Sequence, residues 1–124
     1  MNLVQEYFSL VNEVVSYRES VYDDATAEVH NRKVKRMHAI ATEIEQNFPE
    51  LKNDFFELLL NENKEIRLWV AHHILEHMNY ARSFRKTALK EIRRMARTAK
   101  TAYGLGEKVW LKHWYKSHPK DRWL

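Results

Sequence analysis

Residues Leu58–Leu75 read LLLNENKEIRLWVAHHIL. Three leucines close one segment, and the polar break Asn61–Asn63 follows. The next segment opens on Lys64-Glu65 and continues in almost unbroken apolar residues. Asn63 is an N-cap candidate, with Glu65 placed where a carboxylate meets the positive end of a helix. The helix predicted over Lys64–Met78 carries Ile66, Leu68, Trp69, Val70, Ala71, Ile74, Leu75 and Met78. A helix that is apolar nearly all round belongs at the centre of a fold, with neighbours on several sides. Trp69→Ala would then cost roughly 3–5 kcal/mol if the indole is fully buried.

Upstream, Val4, Phe8, Val11 and Val15 recur at helical spacing, with Leu3, Tyr7 and Val14 widening the stripe. They predict a first helix over about Asn2–Ser20. A second, reaching about Asn47, has Val29, Met37, Ile40, Ile44 and Phe48 on its apolar face. Asp23 or Asp24 would cap it. Pro49 opens a third helix, with Leu51, Phe55, Leu58 and Leu59 inward. Downstream, Tyr80–Ala102 divides into an apolar stripe and a basic one of Lys86, Lys90, Arg93, Arg94, Arg97 and Lys100. Gly104 and Gly106 predict a turn there, and Glu107–Ser117 a sixth helix with Val109, Trp110, His113 and Trp114 on one face.

At 124 residues the chain has the size of one domain, 1–124, large enough for a core of its own. Two glycines and two prolines are too few for a β-sandwich or a phosphate-cradling loop, and the absence of cysteine excludes disulfides and thiolate chemistry. No apolar run has membrane-spanning length and no signal-peptide pattern opens the chain, so a cytoplasmic location is expected. Charge is uneven. Residues 1–62 hold 6 basic and 12 acidic side chains, a net −6, and residues 63–124 hold 15 and 5, a net +10. Such polarity serves either to hold the two halves together or to steer charged partners.

Six helices with short breaks make three antiparallel hairpins, a helical-repeat period. The Leu58–Leu75 stretch resembles a HEAT repeat, in which an asparagine or aspartate precedes Val/Ile-Arg and then alanines. The resemblance continues through Asn31-Arg32-Lys33, Ile66–Ala71, Ala96–Ala102, Gly104-Leu105-Gly106, and Leu111 with Trp114, over roughly residues 30–116. Together these are similar to a small bacterial HEAT-like family of undefined function. Such families often resemble immunity proteins encoded beside polymorphic or contact-dependent toxins. The resemblance implies an all-α, right-handed stack of about three hairpins, a HEAT-like α-solenoid, with helices two, four and six in one layer. It implies a non-catalytic binding role against a cognate toxin domain, for example a nuclease. The second helix's polar half with Arg32, then Arg67, His72, Glu76, Lys112 and Lys116, would then form the concave partner-binding face. Arg67 in such units usually bridges adjacent repeats. The acidic stretch Glu19, Asp23, Asp24 and Glu28 would meet a basic partner.

His73-Ile74-Leu75-Glu76-His77 matches H-x-x-E-H, which places two histidines on one helix face within reach of one zinc ion. No third ligand is evident in the sequence, so packing is the simpler role and no metal or cofactor is expected. Ser9, Ser16, Ser20, Ser83 and Ser117 lack the context of a nucleophile, and no enzymatic activity is expected. The alternative binding role is nucleic-acid recognition or base repair. The basic stripe would track phosphates while Trp110, Trp114, Tyr115 and Trp123 offer stacking surface.

Overall fold

The computed structural model describes residues 1–17, 24–98 and 101–124; of Asp24 only the backbone is described. The fold is all-α. Helix α1 spans Leu3–Val15, α2 Asp24–Asn47, α3 Lys52–Phe56, α4 Lys64–His77, α5 Arg82–Ala96 and α6 Ala102–Ser117. Tight 3₁₀ turns, Pro49–Leu51 and Glu57–Leu60, flank α3, and a third, Pro119–Trp123, follows α6. Among the described residues no strand occurs, and no helix is long and apolar enough to cross a membrane.

The helix starts follow local chemistry. Asn2 caps α1 in a reciprocal box with Gln5. Asn63 caps α4, its side chain accepting from the backbone N–H groups of Glu65 and Ile66, as the sequence predicts. The predicted capping by Asp23 or Asp24 lies outside the described residues.

Consecutive helices pack together: α1 on α2, α4 on the Glu57–Leu60 turn and on α5, and α5 on α6. Helix α4 also meets α1 and α2, which makes it the central element. Its Val70, Ala71 and Ile74 are fully buried. The core continues through Tyr7 and Val11 of α1, Met37, Ile40 and Ile44 of α2, Phe55 of α3, and Ala88, Leu89 and Ile92 of α5.

Four expectations need correction. Helix α1 ends at Val15, capped at Ser16, short of the predicted Ser20. Helix α5 ends at Ala96, before the predicted Ala102. The two glycines lie inside α6 and mark no turn: Thr101 caps the helix through a hydrogen bond from Gly104 N–H, and neither glycine has positive φ. The Thr101 cap starts the helix more than a turn before the predicted Glu107, and Gly104 is a buried helical residue rather than a chain reversal. The expected inner face of α6 also differs. Leu111 is its buried apolar side chain, whereas Val109 and His113 are exposed and Trp110 and Trp114 are half-buried.

Candidate functional site

A cleft of about 220 Å³ opens where α2, α4 and α6 converge. Helix α4 supplies most of its wall. Trp69, His72, His73 and Glu76 follow the i, i+3, i+4, i+7 spacing that puts side chains on one face. Leu68 completes this wall, His38 enters from α2, and Tyr103 and Glu107 enter from α6. Trp69 is therefore half-buried at a cleft rather than sealed in the core, and the cost of its truncation falls below that of a fully buried indole.

The adjacent histidines on α4 face different neighbours. His72 turns toward α6. Its Nε2 lies 2.7 Å from Glu107 Oε2, and its Nδ1 lies 3.4 Å from Glu76 Oε1. Burial opposes the imidazolium, but the hydrogen bonds to Glu107 and Glu76 outweigh it and raise its pKa to about 9. Trp110 Nε1 donates to Glu76 at 2.6 Å, and the Trp110 indole meets the His72 ring edge to face at 4.5 Å. A cation is thereby clamped between two carboxylates and an indole, joining α4 to α6.

His73 turns inward toward α1 and α2. It is buried, and its Nδ1 lies 2.5 Å from the Tyr7 hydroxyl. Burial, reinforced by the neighbouring His38 and His77, depresses its pKa to about 3, so its imidazole is neutral. Side by side on α4, one imidazole is charged and the next is neutral because their neighbours differ.

The other sequence candidates are dispersed. Arg67 contacts Glu91 of α5 at 3.2 Å and donates to the carbonyls of Asn61 and Glu62. It bridges two helices and the turn before α4. Glu28 and Arg32 pair with each other at 3.3 Å on an exposed face of α2. Lys112 and Lys116 are exposed on α6. Glu19 and Asp23, and the side chain of Asp24, lie outside the described residues. Sequence reasoning brought together His72 with Glu76 and His73 with His77. It missed Tyr7, His38 and Glu107, which arrive from other helices.

The basic stripe of α5 is partly committed to the interior of the fold. Arg93 donates to the Tyr115 hydroxyl and to the carbonyls of Leu124 and Asp121, and Arg94 pairs with Glu91. Lys86, Lys90 and Arg97 are exposed, while Lys100 lies outside the described residues. Trp110 and Trp114 stack on each other at 4.9 Å, and Trp114 stacks on His118 at 3.8 Å. Comparison with protein-family models, curated proteins and solved structures gives no match.

Proposed function

We propose that this chain is a non-catalytic protein-binding module, an immunity protein that captures and neutralises a cognate bacterial toxin domain in the cytoplasm. In this reading the three hairpins α1–α2, α3–α4 and α5–α6 stack as a short HEAT-like solenoid. The observation that carries the reading is the outer face of α6. Leu105 and Val109, one helical turn apart, are 57% and 56% exposed, beside the exposed Lys108, Lys112 and Lys116 at successive helical turns. An apolar centre with a charged rim has the anatomy of a protein interface. Its lysines select an acidic partner surface, and the net +10 of residues 63–124 speeds the encounter. In this reading the main contact is on Lys112 and Lys116 rather than on Glu28 and its acidic neighbours.

The test is co-expression with the C-terminal domain encoded by the adjacent gene, scored by growth rescue and by isolation of a stoichiometric complex. Val109→Asp combined with Lys112→Glu should abolish both while leaving the melting temperature unchanged. Full rescue by that double variant would move the interface off α6. Absence of any complex with the unaltered chain would end the immunity reading. Nucleic-acid binding by α5 is the weaker reading, because Arg93 spends its donors inside the fold. It requires salt-sensitive binding of duplex or single-stranded DNA that is lost on Lys86, Lys90 and Arg97→Gln.

A further inference from the structure

His73 and His77 stand one helical turn apart on α4, and His38 of α2 lies against both. Its ring centroid is 4.9 Å from that of His73 and 4.8 Å from that of His77. One ring nitrogen from each of the three lies within 4.8 Å of the other two. We propose that His38, His73 and His77 form a binding site for a divalent transition-metal ion of the Zn²⁺/Co²⁺ type.

The donor set defines the class of ion. Three imidazoles without a carboxylate suit Zn²⁺, Co²⁺, Ni²⁺ or Cu²⁺ and discriminate against Mg²⁺ and Ca²⁺, which take oxygen ligands. Tyr7 supplies the outer support that such sites use. With the Tyr7 oxygen 2.5 Å from Nδ1 of His73, a proton held at Nδ1 leaves the Nε2 lone pair for the metal and fixes the ring's direction. The other two ligands are adjustable. His38 and His77 are half-buried, and among the described residues their ring nitrogens have no hydrogen-bonding partner. Zn–N bonds of ~2.0–2.1 Å set the nitrogens of a tetrahedral site ~3.4 Å apart. Metal binding therefore requires side-chain rotation of His38 and His77 toward the fixed His73 to close the present spacing to that value. His38 and His73 also line the cleft, so a fourth position would open to water or to an incoming donor. This site is independent of the α6 face and of the immunity reading.

The experiment titrates the purified, EDTA-treated full chain with CoCl₂ and then ZnSO₄. Visible absorption of four-coordinate Co²⁺, calorimetry and thermal melting are recorded for the unaltered chain and for His38→Ala, His77→Ala and His30→Ala. The expected result is one ion per chain, the Co²⁺ band displaced by Zn²⁺, and a melting temperature raised by Zn²⁺. Affinity should fall at least tenfold in His38→Ala and in His77→Ala and be unchanged in His30→Ala, whose ring lies against Tyr17 elsewhere on the molecule. Circular dichroism of each variant in EDTA establishes that it is folded, and His38→Gln replaces either alanine variant that is not. Binding only at millimolar metal, or equal binding in His38→Ala or His38→Gln, would mark adventitious association and overturn the proposal.

Discussion

The hydroxyl of Tyr7 and Nδ1 of His73, separated by 66 residues in sequence, sit 2.5 Å apart in the interior. Both side chains are buried, and the Tyr7 ring also packs edge to face on Phe55 at 4.7 Å. Tyr7→Phe keeps that packing and strands a polar nitrogen. Leaving a buried group unpaired costs about 1–3 kcal/mol. Urea unfolding should show a loss of this size, and an unchanged midpoint would mean that the pair adds nothing to stability.

Glu45 ties the end of α2 to the α4–α5 junction. It lies 2.6 Å from Lys52 Nζ and accepts from Asn79 N–H at 2.7 Å. Burial pushes its pKa up, but Lys52 and the Asn79 amide prevail and hold it below the ordinary glutamate value. A lowered folded-state pKa contributes stability that is present above the unfolded value and is lost as pH falls through the folded one. Glu45→Gln should therefore cost about 0.5–1.5 kcal/mol at neutral pH. The gap between variant and parent should close as pH falls below the ordinary glutamate range and through the lowered folded-state pKa. Denaturant midpoints measured from pH 7 to pH 3 check this; a gap that widens toward acid would reverse the sign.

Asp121, buried in the turn after α6, accepts from Trp114 Nε1 at 2.8 Å and is paired with Arg85. Hydrogen bonds to charged groups contribute about 1.5–3 kcal/mol. Asp121→Ala should lower stability by that amount and alter Trp114 fluorescence. A variant with parental melting and emission would remove Asp121 as the fastener between α5 and the C-terminal turn.

Gly106 lies within α6 on the exposed side, and a Cβ built there meets nothing within 4 Å. Gly106→Ala should stabilise the chain by about 0.5–1 kcal/mol through helix propensity and a less flexible unfolded state. If the partner's backbone approaches this bare position, the same change should weaken the complex. Melting temperature and dissociation rate measured together check both; a lower melting temperature would contradict the open surroundings.

Helix content and the Asn63 cap were legible because both depend on local spacing and local hydrogen bonds. The α6 boundary was not. A glycine pair reads as a turn signal, and the helix boundary was set instead by the Thr101 cap, whose side chain accepts from Gly104 N–H. Two of the three clustered histidines were legible, since His73 and His77 declare their common face by separation alone. His38 and Tyr7 stayed hidden because their approach is tertiary, from α2 and α1. Their own surroundings in sequence read as ordinary helix. The opposite protonation of His72 and His73 was equally hidden, since it comes from Glu107 on one side and enclosure on the other.

Because α4, α5 and α6 pack in chain order, most of the native contacts can form soon after their helices do. Contacts close in sequence carry little loop-closure entropy, which favours folding in microseconds to milliseconds. Docking of α1 and α2 on α4 is the exception, and for α1 the loop to be closed is the longest. Its interactions therefore form late along the folding route. Substitutions at Tyr7 would then speed unfolding while hardly slowing folding, so the α1 contact governs how long the native state lasts rather than how quickly it is reached.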